Sequence, residues 1–579
     1  MGNLNDSIPT SASNRSAGTT TTYDAIVIGS GISGGWAVKE LTEKGLKTLL
    51  IERGRDVKHL VDYPTTNLDP WEFPHRGTVP NSVAEAYQSV RHHYSFKEDT
   101  VHFFLKDKEQ EYIADKPFDW IRGAQVGGRS LLWARHTQRW SDFDFGGPLR
   151  DGYAVDWPIR YTDIAPWYSH VEKFSGISGN RDGLDVLPDG EFLPPFEMTC
   201  VEKYFGEKMA EKYKDRHVII SRVANLTEPT KLHLSQGRGQ CQNRDLCSRG
   251  CPFGGYFSSN SATIPWAIKT GNLTLLTDTV VQAVIFDEQK NKATGVRVID
   301  TKTSVVTEYT AKIIFVNASA INTNLILLNS TSARFPNGIG NDNGLMGTHI
   351  AFHNYRGKVE ASYDGLLEFK TKSRRPGASY IPRFRNVHQQ ETGFLRGYSA
   401  ILNSSRVPAT VQNGFGNQLK KQLENPQLGD WSISAQMMGE TIPKKENCVK
   451  LDSTKKDIYD LPQLHISVDY DENDEKMLAD FHQQFTEMFT AAGFKNIKSI
   501  DSQRKPGNEN HEMGGVRMGN DPATSLLNKW NQLHQCKNVF VTDGACMTST
   551  SNQNPSLTYM ALTARAVDYA FKQLKSGAL

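Results

Sequence analysis

Two sets of residues in this 579-residue chain have types and spacings that could do chemistry. The first is Gly29-Ser30-Gly31-Ile32-Ser33-Gly34, with Glu52 eighteen residues beyond Gly34. A G-x-G-x-x-G turn followed by an acidic residue at about that distance is a dinucleotide-binding pattern. Gly29 permits the tight turn, Gly31 lets the backbone approach a pyrophosphate, and Gly34 lets helix and strand pack closely. Glu52 can hydrogen-bond ribose hydroxyls, and its charge disfavours a 2′-phosphate and hence NADP. The turn does not separate FAD from NAD. The second set is Cys241, Cys247 and Cys251, spaced C-x5-C-x3-C and followed by Pro252. Three readings stand side by side. The thiols are free in a loop; or they hold zinc with His233 as the fourth ligand; or they ligate an iron–sulfur cluster, as Cys-Pro closing a cysteine run does in bacterial ferredoxins.

The surrounding elements suit the first set. Asp24–Ile28 is a short apolar run that reads as a buried strand, a helix follows to Glu43, and Lys47–Ile51 reads as a second strand. Further on, Leu273–Ile285 is strand-like, and Ile313–Ala320 is an apolar strand leading into a helix. Pro555–Lys572 reads as a helix with Leu557, Met560, Ala561, Ala564 and Val567 on one side. Residues 1–22, rich in Ser, Thr, Asn and Gly, read as a disordered leader without a secretory signal.

Composition narrows the function classes. Hydrophobic residues make up 38% of the chain, enough for large cores, and the net charge is only +2, which gives no electrostatic case for nucleic acid or an anionic membrane. No apolar run is long enough for a membrane span. Seven cysteines are too few for a disulfide scaffold.

Three further motifs bring a family into view. They are Ile121–Trp133 with its pair Gly127-Gly128; His511-Glu-Met-Gly-Gly-Val-Arg517-Met518-Gly519; and Asn538–Gly544 followed by Asn552-Gln-Asn554-Pro555-Ser-Leu-Thr558. With the N-terminal turn, in this order, the chain resembles the glucose–methanol–choline (GMC) FAD oxidoreductases. The resemblance implies a mixed α/β fold in which a Rossmann-like FAD domain is interleaved with a substrate domain built on an antiparallel sheet. The FAD domain would gather 23–60, 120–150, 262–350 and 500–579. The substrate domain would gather 61–119, 151–261 and 351–499, with the cysteine loop at 241–251.

The resemblance also implies roles. FAD would lie against Gly29, Gly31, Ser33, Gly34, Glu52 and Arg53; against Gly127, Gly128, Ser130 and Trp133; against Val281 and Ala318; and against Asp543, Gly544, Asn554, Pro555 and Thr558. His511 and Asn554 match the catalytic pair, His511 as the base and Asn554 as the amide that orients the substrate hydroxyl. Histidine suits the first task because its pKa lies near working pH. Asn554 is also expected to cap the following helix. Some members attach FAD through a histidine after the glycine pair; Leu132 stands there, so non-covalent FAD is expected. Trp157, Trp167, Tyr168, Tyr380 and Trp431 suit a sugar face, although such residues more often serve the core or the surface.

The cysteine spacing occurs in a GMC subgroup of multi-subunit dehydrogenases, where it holds a 3Fe–4S cluster that passes electrons singly to an outside acceptor. Similarity within that subgroup is greatest to glucoside 3-dehydrogenases. This implies oxidation of a secondary sugar hydroxyl, a small partner subunit that carries the export signal, a cytochrome c acceptor and periplasmic residence, with cytoplasmic residence as the alternative. Rival activities are an oxygen-using oxidase, an aldose- or gluconate-type dehydrogenase, and a hydroxynitrile lyase.

Overall fold

The computed structural model describes residues 22–152, 155–369, 375–408, 415–424 and 428–579. The leader expectation therefore lies outside the described residues, apart from Thr22, which already belongs to a strand.

The first sheet has seven strands. Leu273–Leu276, Thr48–Ile51, Thr22–Ile28 and Val306–Val316 lie side by side in that order and run parallel, followed by the antiparallel Lys292–Asp300 and Thr279–Asp287. Val539–Val541 joins the end of Val306–Val316 in parallel. The unbroken apolar runs are what a parallel strand covered on both faces requires; Ala25, Ile26, Val27 and Leu50 are fully buried. The expected continuous strand over 273–285 is two strands, broken where Asp278 takes a left-handed φ of 51°.

The helix Ile32–Glu43 follows the glycine turn and packs against the last helix, Ser556–Lys575. All five residues assigned to one side of that last helix are fully buried. Its N-terminus thus arrives at the carboxyl ends of the parallel strands, the place where open α/β sheets bind ligands.

The second sheet is antiparallel, ordered Lys495–Asp501, Gly357–Tyr363, Leu428–Glu440, Tyr398–Pro408, Ser379–Ile381 and Ile219–Ile220. The helix Glu472–Ala491 covers it with Met477, Phe481, Phe485 and Met488, a helical spacing of buried residues. A short strand, His353–Asn354, pairs with the end of Leu428–Glu440 and brings His353 opposite Glu440. Among the described residues no helix is long and apolar enough to cross a membrane.

Candidate active site

The glycine turn, the glycine pair and the C-terminal motifs converge on one cavity, which encloses about 1850 Å³ of non-atom space, part of it open to solvent. Gly29, Gly31, Ser33, Glu52, Arg53, Gly128, Ser130, Trp133, Val281, Ala318, Asp543, Gly544, His511, Asn554 and Pro555 all line it. Three expected residues do not. A Cβ on Gly34 would sit 1.8 Å from the Gly29 carbonyl oxygen, so Gly34 serves helix–strand packing. Gly127 takes a φ of +92° and donates its N–H to Ser30 Oγ at 3.0 Å. Thr558 is buried and bonds Tyr168 Oη at 2.8 Å, away from the cavity wall.

Gly31 has a φ of −63°, open to any residue, so its need for glycine is one of space. Its added Cβ would meet nothing within 4 Å and would project into the cavity, where Gly128 faces it. Glu52 is committed more deeply than expected. It accepts from Ser30 N at 3.1 Å, Ser30 Oγ at 2.5 Å and Gly54 N at 2.9 Å, so the carboxylate braces the turn from within while still lining the cavity. Burial raises its pKa above the ordinary range.

Asn554 does not cap the last helix. Pro555 is the N-cap residue and no side chain makes a capping bond. The Asn554 amide is only 8% exposed, and its Oδ1 is buried without a partner. Asn317 Nδ2 is another buried, unpartnered polar atom of a residue lining the cavity. Buried polar atoms are nearly always satisfied, so these two, with the space before Gly31, fit a polar molecule lodged in the cavity. The last helix begins here with Pro555 and Ser556, and its N-terminal partial charge favours anionic character nearby.

His511 sits beside Glu512, which is clamped by Arg129 through two bonds of 3.2 and 2.8 Å. Arg129 also donates to Ser319 Oγ at 2.9 Å. This bidentate pair ties the glycine-pair loop to the His511 loop. His511 Nδ1 lies 2.9 Å from Nδ1 of His353, with the rings nearly perpendicular at 88°. Burial holds His511 well below the usual histidine range, helped by His353, Arg129, His136 and His93. Burial also pushes His353 and His136 down to about 4 and His93 down to about 3. His353 carried no motif signal; Arg129 and Glu512 stand next to Gly128 and His511 inside the motifs without an assigned role, and His136 lies three residues past the glycine-pair motif.

The neutral histidines make stability depend on pH. Each folded-state pKa is depressed, so the unfolded chain binds the extra proton first. Stability is full above the ordinary value of 6.5 and is lost as pH falls towards 4. His93, His136 and His353 together are expected to cost on the order of several kcal/mol over that window. Thermal melts of the protein from pH 7 to 4 check this; a melting temperature flat across the window would contradict it.

The structure places the remaining candidates as follows. Trp157, Tyr168, Tyr380 and Trp431 are buried in the cores and Trp167 packs against one of them; none lines the cavity, whose aromatic wall is Tyr94, Trp120, Trp133, Tyr355 and Tyr559. Leu132, where a covalent linkage would need histidine, is buried in an apolar cluster with Tyr87 and Val90. His233 cannot complete a zinc site, because Nε2 bonds the Lys173 carbonyl at 3.1 Å and Nδ1 takes the Thr230 N–H at 3.1 Å. All seven cysteines are free thiols. Burial raises the Cys241 and Cys247 thiols, with nearby Cys247 and Cys251 adding to the first and Cys251 to the second, and among the described residues no three His, Cys, Asp or Glu side chains form a metal-holding group. In this arrangement the three thiols do not stand together as a ligand set.

Comparison with known proteins agrees with this geometry. Residues 203–348 match the N-terminal model of the GMC oxidoreductases, and residues 443–563 match the C-terminal one. The chain belongs to the GMC oxidoreductase family. As a member it acts on alcohol or sugar donors, and the family's cofactor is FAD. The GMC chain is 29% identical over 570 residues to a 2-methyl-1,2-propanediol dehydrogenase of Mycolicibacterium austroafricanum, covering 94% of each chain. It is 26% identical over 574 residues to the fructose dehydrogenase large subunit of Gluconobacter japonicus, covering 96% of this chain and 99% of that one. The fold is that of pyridoxine 4-oxidase from Mesorbium loti, with a TM-score of 0.58 and 16% identity over 94% of this chain and 98% of that one. The cavity fits the cofactor: Gly31 and Gly128 leave the approach that a pyrophosphate needs, and the unpartnered atoms of Asn317 and Asn554 await a polar ligand.

Proposed function

We propose that this protein is a dehydrogenase for a secondary sugar hydroxyl, with C3 of a glucoside or disaccharide as the substrate position and FAD held without a covalent bond. The observation that carries the reading is that His511 and Asn554, whose Oδ1 has no partner, line the same cavity. FAD, when bound, supplies the acceptor for a hydride from the carbinol carbon. His511 takes the hydroxyl proton, and the Asn554 amide orients the hydroxyl by donating an Nδ2–H bond to its oxygen. Burial keeps His511 uncharged, so the base is ready below pH 6.5 as well as above it. Flavin reduction by sugar is accordingly expected to hold its rate as pH falls from 8 to 6. A tenfold loss across that interval would contradict the placement of the base.

The sugar position is tested by incubating the protein with methyl glucoside and a dye acceptor and reading the product by NMR. A 3-keto product supports the reading; oxidation at the anomeric carbon redirects it to an aldose dehydrogenase, and peroxide release to an oxidase. A hydroxynitrile lyase would leave the flavin oxidised.

The cysteine spacing supports a 3Fe–4S cluster, and a relative named a large subunit supports a multi-subunit assembly with a small partner, a cytochrome c acceptor and periplasmic residence through the partner's signal. Cytoplasmic residence is the alternative. Arg135 supplies a physical link between loop and cavity. It lines the cavity and donates to the Cys247 carbonyl at 3.1 Å. The thiols would have to draw together to share a cluster. Anaerobic purification is expected to give iron and sulfide, and Cys247→Ser to abolish both; zinc alone, or no metal, contradicts the cluster.

A further inference from the structure

We infer that His353 is a positioning residue that fixes the proton of His511 on Nδ1 and so keeps His511 Nε2 bare towards the cavity. The inference deepens the proposed function, since it rests on His511 being the base.

His353 Nε2 lies 3.0 Å from the Ser551 carbonyl oxygen and 3.3 Å from that of Thr550. A carbonyl oxygen only accepts, so Nε2 of His353 must carry a hydrogen. His353 is fully buried and is held neutral, its pKa pushed down to about 4 by burial. A neutral imidazole with its hydrogen on Nε2 has a bare Nδ1. That nitrogen lies 2.9 Å from His511 Nδ1, which must then donate. His511 is likewise held neutral, so its single hydrogen is spent on Nδ1 and its lone pair is left on Nε2. No residue among those described bonds His511 Nε2, and the ring lines the cavity.

Two immobile carbonyls thus decide, through one intervening ring, which nitrogen of the base can take a proton. The chain of bonds ends at those carbonyls, which cannot accept a proton at working pH. A proton taken by His511 therefore stays on its imidazole, and the bare Nδ1 of His353 supports the resulting imidazolium through the same bond. His353 reaches this position from the short strand beside Glu440, and Ser551 and Thr550 belong to the segment that leads into Asn554. The device therefore spans the second sheet and the C-terminal motif, and sets both the base and the segment that carries its partner.

The test is made on the flavin-loaded protein with His353→Gln and His353→Leu. Glutamine offers an acceptor oxygen to His511 and an N–H to the Ser551 carbonyl; leucine offers neither. Nitrogen NMR of histidine-labelled protein, with His511 assigned by its absence in His511→Gln, is expected to show a bare Nε2 in the wild type and in His353→Gln, and a mixture of tautomers in His353→Leu. The rate of flavin bleaching by sugar is expected to fall about 10- to 100-fold in His353→Leu, less than removal of the base costs because part of the population keeps the right tautomer. His353→Gln should recover most of that loss at equal flavin content. A wild-type His511 protonated on Nε2 overturns the inference even if the leucine variant fails to fold. So does a glutamine variant as slow as the leucine variant, or a leucine variant with wild-type tautomer and rate. If His511→Gln bleaches as fast as wild type, the base assignment fails instead, and the tautomer measurement still stands by itself.

Discussion

Replacing His511 with glutamine is expected to slow reduction of the bound flavin by sugar about 10²- to 10⁴-fold, the contribution of a positioned general base. The variant should still bind FAD and keep its melting temperature near that of the wild type. Three features support so large and so separable an effect. The imidazole lines the cavity and makes one bond to the rest of the protein, through Nδ1 to His353, so glutamine removes little packing. The loop that carries it is anchored independently, by the Arg129–Glu512 pair next to it. Finally, two of the neighbouring histidines are not free to replace it: His353 is fully buried and bonded through both ring nitrogens, and His93 Nε2 is already occupied by the Asn510 amide at 2.9 Å, which leaves His136 as the one other histidine on the cavity lining. Stopped-flow bleaching in the absence of oxygen, set beside flavin content, reads the two effects separately. Equal loss of flavin and rate would show that His511 holds the cofactor site together and does not act on the substrate.

The second large effect concerns the cofactor and leaves the chemistry aside. Gly31→Val is expected to give a folded protein with no flavin, with affinity reduced at least about 100-fold, or roughly 2.7 kcal/mol. The backbone at Gly31 has φ −63°, which valine adopts, and the new Cβ meets no protein atom within 4 Å. The only space it takes is the cavity's. The neighbouring glycines behave differently. A Cβ on Gly34 would overlap the Gly29 carbonyl, and one on Gly29 would lie 2.4 Å from the Asn317 carbonyl at a φ of +90°. Gly34→Ala and Gly29→Ala should therefore lower the melting temperature of the flavin-free protein as well, whereas Gly31→Val should leave it unchanged. Calorimetry of the flavin-free forms separates the cases; an unfolded Gly31→Val, or one that retains flavin, would count against the cavity as the cofactor site.

The parts of this site that were legible in the amino-acid sequence are those encoded by neighbours along the chain. The turn at Gly29–Gly34, the buried side of the last helix and the order of the motifs all follow from local spacing, and the cavity gathers most of the residues those motifs named. What was hidden depends on long-range partners. His353 meets His511 across 158 positions, and Arg129 meets Glu512 across 383; no periodicity records such a meeting. Asn554 looked like a helix cap because Asn before Pro caps helices, but the chain places Pro555 in that role and frees the amide for the cavity. The aromatic residues could not be sorted because a tryptophan in a core and one in a sugar-binding wall look alike in sequence. Trp157 and Trp431 are almost wholly buried, whereas Tyr94 and Tyr355, which line the cavity, stand in unremarkable surroundings. Asp278 broke an apolar run into two strands through its backbone conformation, which composition does not reveal.

The central claim is that one cavity holds FAD and that sugar hydroxyls reduce it there. The absorption spectrum of the purified protein, recorded without oxygen before and after addition of methyl glucoside, lactose and fructose in turn, tests it most directly. An oxidised flavin band is expected at the outset, released into solution on acid denaturation, with bleaching by at least one of the sugars in wild type but far more slowly in His511→Gln. A protein that carries no flavin, or whose flavin band is unmoved by every sugar, would contradict it.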